Sequence, residues 1–289
     1  MSKSGRASPT RRVLVALDAS PQSLGALEAA AEFAARMQAE LAGLFVEDVE
    51  LLRLADSPQA REVLLPSATV VRLERAQMES KLRAHSERAR TALASAANRA
   101  RVPWSFRTAR GHVASEILAA VAEADLLAMV TAGCSLGRHF RFGSAALELA
   151  ENALPVLLLR ARGTQPHGHL MVLYDGSPAA RQRLSIAAEL AGAATNRITV
   201  LIAEADQRKV EQMQGELEAL LAGAGVEVRY RSFDPEDEAA LLHALKAERA
   251  GVLVLPGREF FDKLRELEAF LGESETSLLL CGRIAPQEK

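Results

Sequence analysis

Two stretches of this chain align on each other without a gap, and that repeat constrains the fold more than any other feature. With Asp18 placed on Asp175, an offset of 157 positions, Val15, Ser20, Pro21, Leu27, Ala30, Ala31, Glu32, Ala34, Leu44 and Glu47 meet Val172, Ser177, Pro178, Leu184, Ala187, Ala188, Glu189, Ala191, Leu201 and Glu204. Chance matching of alanine-rich helices would explain the alanines. It would not explain an Asp-x-Ser-Pro turn flanked by strands in register on both sides. The chain is therefore a tandem duplication, and its joint falls near Ala161-Arg-Gly-Thr-Gln-Pro-His167, which has linker composition. We place a first domain at residues 12–162 and a second at 163–289, preceded by a basic, disordered tail at 1–11.

Each copy alternates short apolar runs with amphipathic helices. Val13-Leu-Val-Ala-Leu17 is a continuous apolar run of the kind buried on both faces of a parallel sheet. Ser20 and Pro21 suit a helix N-cap and first position, and Leu24, Leu27, Ala31, Ala34 and Ala35 then fall on one stripe. Further strands are expected at Leu41–Val46, Trp104–Ala109, Leu126–Val130 and Val156–Leu159. Met78, Leu82, Ala89, Leu93, Ala96 and Ala100 form the buried stripe of a long helix before Trp104. The second copy repeats the order in fewer residues. Alternation of this kind implies an α/β protein made of two tandem, doubly wound, parallel five-stranded sheets. With right-handed crossovers each has strand order 3-2-1-4-5, a Rossmann-like α/β sandwich. Only the first copy carries an extra segment, Leu51 to Val71, whose apolar clusters are interrupted by Pro58 and Pro66. It is too apolar for a free linker, so it should pack as a lid or against a partner.

Composition narrows the function classes. A net charge of −2 gives no overall pull toward nucleic acid or an anionic membrane, and 4% aromatic residues leave little for base-stacking platforms. Two cysteines, Cys134 and Cys281, cannot form a disulfide framework, which fits a reducing compartment. The N-terminal residues lack an apolar core behind their basic charges, and no apolar run is long enough to span a bilayer, so we expect a cytoplasmic protein. Neither a nucleophile-base constellation nor paired carboxylates at workable spacing stand out, and the His167-Gly-His169 pair lies in the linker.

Ligand chemistry is concentrated in Val130-Thr-Ala-Gly133-Cys-Ser-Leu-Gly-Arg138-His-Phe-Arg141-Phe-Gly143-Ser144. A strand ending near a glycine, a loop with two arginines and a Gly-Ser pair opening a helix make a loose phosphate-site pattern. A capped strand-to-helix connection would read the same way. In a 3-2-1-4-5 sheet this loop and Asp18 share the crevice at the carboxyl ends of strands 1 and 4, where open α/β sheets bind ligands. Asp18 also has a purely structural reading as a turn residue accepting backbone N–H bonds.

Val15-Ala-Leu-Asp18-Ala-Ser-Pro21, the Gly111 turn, Ala124-Asp125-Leu-Leu-Ala-Met129 and Leu154-Pro-Val-Leu-Leu-Leu159 resemble the universal stress protein family, as two tandem copies. The resemblance implies a stress-response protein whose halves pair through their fifth strands. One class of that family binds ATP through a G-x2-G-x9-G-[ST] loop. Gly133, Gly143 and Ser144 match its last three fixed positions, whereas Val130 stands where its first glycine would be. The resemblance puts these three residues at the phosphates, with Arg138 and Arg141 adding charge, Asp18 toward the nucleoside and the backbone around Val46 at the adenine. The implied ligand is ATP, with Mg as its companion ion, serving regulation and at most slow hydrolysis. The expected partners are the second domain, a second copy of the chain and an unidentified protein, with neither nucleic acid nor membrane. The second half keeps no such loop after Leu255-Pro256-Gly257. An alternative of the same fold binds no nucleotide and uses the 51–71 segment for a partner or small apolar ligand.

Overall fold

The computed structural model describes residues 11–18, 20–64, 69–131, 155–160, 170–194, 197–248, 250–256 and 276–281. The first half contains β1 (Arg12–Leu17), α1 (Pro21–Arg36), β2 (Glu40–Asp48), α2 (Val49–Asp56), β3 (Arg61–Leu64), β4 (Thr69–Arg72), α3 (Arg75–Ala100), β5 (Trp104–Gly111), α4 (Val113–Val121), β6 (Leu126–Thr131) and β7 (Val156–Arg160). The second contains β8 (Leu170–Tyr174), α5 (Pro178–Ala194), β9 (Arg197–Ala203), α6 (Gln207–Leu221), β10 (Glu227–Phe233), α7 (Glu238–Glu248), β11 (Val252–Pro256) and β12 (Ser277–Cys281).

These strands make one ten-stranded sheet in the order β10-β9-β8-β11-β12-β7-β6-β1-β2-β5. Read outward from its centre, each half runs 5-4-1-2-3 in its own strand numbering, which is the 3-2-1-4-5 order expected from the alternation of elements. Within each half neighbouring strands are parallel; the join is antiparallel, with Leu278 opposite Leu158 and Leu280 opposite Val156. Register repeats with the sequence: Val13 pairs with Leu41 in the first half and Leu170 with Ile198 in the second. Helices α1, α3, α5 and α6 cover a continuous core on one face of the sheet, and α4 and α7 cover the other. All five residues of β8 and of β12 are buried, as a strand covered on both faces requires.

The long stripe on α3 buries Leu82, Ala89, Leu93, Ala96 and Ala97 against α1 and β2. One strand position makes this close approach feasible. A Cβ built on Gly43 would lie 2.7 Å from Leu93 Cδ2 and 2.9 Å from Phe106 Cδ2. In the second half that position is Val200, fully buried under the shorter α6.

The extra segment of the first half divides into α2 and the antiparallel β3–β4 hairpin. Asp48 caps α2 by accepting from the Glu50 N–H at 2.9 Å. Ala55, Ala60 and Leu73 form a small separate core with Met78 of α3 at its edge, and the Arg75–Asp56 and Lys81–Glu62 pairs tie the segment to α3. Leu51, Leu54 and Val70 remain exposed. No helix among the described residues is long and apolar enough to cross a membrane. The expected tail at 1–11, apart from its last residue, and the helix expected to open at Ser144 lie outside the described residues.

Candidate functional site

A cavity of ≈ 390 Å³ opens at the carboxyl ends of β1, β2 and β6. Its walls come from both faces of the sheet. Leu17, Phe45 and Leu82 belong to the core under α1 and α3, while Ala16, Leu44, Val46, Ile117 and Met129 belong to or pack against the core under α4. The cavity thus straddles the sheet's carboxyl edge at the topological switch point between β1 and β6, where the crossovers leave to opposite faces. Among the described residues, Asp18, Ser23, Asp48 and His85 are its polar ones.

Asp18 combines the two roles left open by its sequence position. One carboxylate oxygen accepts from the Ser20 N–H at 2.9 Å, the Ser20 hydroxyl accepts from the Ser23 N–H at 3.1 Å, and α1 starts there. The same carboxylate lines the cavity. Asp48 is built similarly: Oδ1 caps α2 and the side chain faces the cavity. Each carboxylate, with one oxygen engaged, has lone pairs left for a ligand hydroxyl.

Val46 also lines the cavity, and the next residue fixes the strand end that presents it. Glu47 is nearly buried; its Oε2 accepts from Arg110 Nε on β5 at 2.8 Å and pairs with Nη2 at 2.7 Å. The bonded Glu47 carboxylate raises the Arg110 guanidinium above its ordinary value. A fork of this kind holds the ends of β2 and β5 in one geometry.

Three polar lining residues, Asp48, His85 and Ser23, escaped the sequence reading. His85 sits on α3 between Leu82 and Ala89, on the same stripe, and its spacing alone marked it as inward. Burial lowers its imidazole from the ordinary value; Arg88 and Lys81 add to this and Asp18 opposes it. His85 is therefore neutral at pH 7. Ser23 is 2% exposed, and its Oγ has no hydrogen-bond partner among the described residues. Its only signal was a hydroxyl three residues after the cap, on the face that α1 turns to the sheet.

Gly133, Arg138, Arg141, Gly143 and Ser144 lie outside the described residues, as does Cys134. Val130 pairs with Leu159 as the penultimate residue of β6, so the strand carries it to the carboxyl edge. At the equivalent place in the second half, Asp175 accepts from the Ser177 N–H at 3.0 Å and the Ser177 hydroxyl from the Ala180 N–H at 3.1 Å. The turn is repeated there, bond for bond. Beneath it Arg183 is 5% exposed, with Nε unpartnered among the described residues and Nη2 3.9 Å from Asp175.

The family model of the universal stress protein family matches residues 9–160. Among solved structures, the chain is similar to a universal stress protein from Archaeoglobus fulgidus DSM 4304 at 17% identity and a TM-score of 0.68, over 96% of this chain and 97% of that one. It is also similar to a protein assigned to the same family from Pseudomonas aeruginosa UCBPP-PA14, at 16% identity and a TM-score of 0.51, over 94% of this chain and 93% of that one. A shorter universal stress protein, solved in complex with cAMP, aligns at 23% identity and a TM-score of 0.32 over 53% of this chain and 99% of its own. Among curated proteins no sequence matches.

Proposed function

The chain belongs to the universal stress protein family, and from that premise we propose that its first half binds ATP or a related adenine nucleotide, using it to set conformation or partner choice. The observation that carries this reading is the ≈ 390 Å³ cavity at the switch point, with Asp18 and Asp48 on its lining. Apolar walls suit a heteroaromatic base, and carboxylates with unused lone pairs suit sugar hydroxyls. Those same carboxylates repel phosphates, which must extend away from them. Gly133, Gly143 and Ser144 are the residues we propose at the phosphates, with Arg138 and Arg141 supplying charge and Mg accompanying the triphosphate. The backbone around Val46 is proposed at the adenine. The domains at 12–162 and 163–289 then divide the work, the second serving as a built-in partner through the β7–β12 join. We further propose a cytoplasmic location and pairing with a second copy.

The test is direct. Protein purified without added nucleotide is denatured, and the extract is separated by ion-exchange chromatography; a thermal-shift panel of ATP, ADP, AMP and cAMP is run alongside. Recovered adenine nucleotide, or a shift that Asp18→Ala abolishes, is expected. An empty extract together with no shift from any of the four would sink the reading.

One observation favours a second reading. Leu51 and Val113 both line the cavity and stand 39% and 41% exposed, so apolar surface runs from its wall out to Leu54 on α2. A small apolar ligand or a protein partner at the 51–71 segment would use that surface. Loss of function in Leu54→Asp, with full function in Asp18→Ala, would favour it.

A further inference from the structure

Ser23 carries a polar atom that the fold itself does not use. It is the third residue of α1 and lines the cavity; its N–H is satisfied by the Ser20 hydroxyl, while its own Oγ is buried and has no partner among the described residues. A buried hydroxyl without a partner is destabilising, so its presence calls for a reason outside the folded chain. The second half supplies the control. Ala180 stands at the equivalent position of α5, fully buried, with the same backbone bond to the capping serine. The turn and the helix therefore form without the hydroxyl.

What surrounds Ser23 defines the chemistry it can meet. On the α1–α3 side the cavity is completed by Leu17, Phe45, Leu82 and His85, whose imidazole is neutral at pH 7. Among the described residues this lobe offers one serine, one neutral imidazole and apolar walls, with no cation on its lining. A phosphate there would meet no cationic side chain among the described lining residues, whereas an uncharged ring with hydrogen-bonding heteroatoms would find both apolar contact and partners.

Resting on the nucleotide reading above, we infer that the lobe between α1 and α3 receives part of the nucleobase, and that Ser23 and His85 hydrogen-bond its heteroatoms and so set base preference. A base held by the backbone around Val46 presents its remaining heteroatoms to these two residues across the same cavity. Neither residue touches the phosphates, so their contribution is the same for a nucleoside as for its triphosphate.

Calorimetric titration of the full chain with adenosine, ATP and GTP tests this in wild type, Ser23→Ala and His85→Phe. Alanine is native at the equivalent position of the second half, so Ser23→Ala folds. It is expected to bind adenosine and ATP roughly tenfold more weakly, by an equal factor for both, with a ligand-free Tm unchanged or raised. His85→Phe is expected to narrow the preference for ATP over GTP. Wild-type affinity in Ser23→Ala, or a ligand-free Tm lowered as by loss of a structural hydrogen bond, overturns the inference and leaves the nucleotide reading standing. Wild-type protein that binds neither adenosine nor ATP overturns both.

Discussion

At the end of β1, Asp18 accepts from Ser20 and Ser20 from Ser23; at the end of β8, Asp175, Ser177 and Ala180 make the same two bonds at nearly the same lengths. Since the turn is kept in both halves, it answers to the fold: it starts the first helix of each half. Ligand chemistry has to lie where the halves differ. Ser23 faces Ala180, Ala26 faces Arg183 and Gly43 faces Val200. In the first half these differences leave an unused hydroxyl and a cavity; in the second they leave a buried guanidinium beside the turn carboxylate. An aspartate common to both copies therefore marks the turn, and its neighbours decide whether it also meets a ligand.

The largest effect that would test this contrast comes from exchanging the close-packing positions. In Gly43→Val the new side chain drives into Leu93 and Phe106, and chemical denaturation should show a loss of about 3 kcal/mol. A neutral result would mean that α3 can retreat as α6 does over Val200, and that the tight packing does not distinguish the halves.

Next in size is the carboxylate of the turn. Asp18→Ala and Asp175→Ala each lose one capping bond, worth about 1 kcal/mol. Asp175→Ala also strips the buried Arg183 of its nearest counter-charge among the described residues. The full penalty for such a loss is reduced because Asp175 is half exposed and 3.9 Å away, so we expect about 1 kcal/mol beyond Asp18→Ala. Equal losses in urea titrations would make Arg183 indifferent to Asp175. A third substitution imports the first half's hydroxyl into the second. Ala180→Ser should cost about 1 kcal/mol with no gain in nucleotide binding.

The smallest effect at pH 7 concerns Cys281, on the second half's fifth strand. Burial pushes its thiol from 9.0 up to about 12, with Arg183 opposing. Above pH 9 the unfolded chain releases this proton while the folded chain retains it, so stability present below that value is lost as pH rises toward about 12. The slope is at most about 1.4 kcal/mol per pH unit, and Cys281→Ala should flatten it without changing the slope below pH 8. Identical alkaline slopes in both proteins would place the thiol in contact with solvent.

Much of the sheet was legible because burial on both faces writes itself as uninterrupted apolar runs such as Val13-Leu-Val-Ala-Leu17 and Leu170–Tyr174. The duplication then fixed the order of one half from the other. Division of the 51–71 segment into a helix and a hairpin was not legible: α2 buries only Leu52 and Ala55, too few positions to show a period. Asp18 could be placed because motif and topology both point to its strand end, whereas Val46 came only from the family resemblance. Ser23 and His85 could not be placed, since a polar residue at an inward position is indistinguishable from a capping or solvated one until the cavity beside it is seen. The Gly133–Ser144 loop lies outside the described residues, so its part in the site rests on its motif.

The asymmetry between the halves is tested most directly by counting bound nucleotide. Equilibrium dialysis of the full chain against ATP, freed of any co-purified ligand, should saturate at one nucleotide per chain and fall to none in Asp18→Ala, with Asp175→Ala still at one. Saturation at two, or at one that Asp175→Ala abolishes and Asp18→Ala does not, would contradict the account.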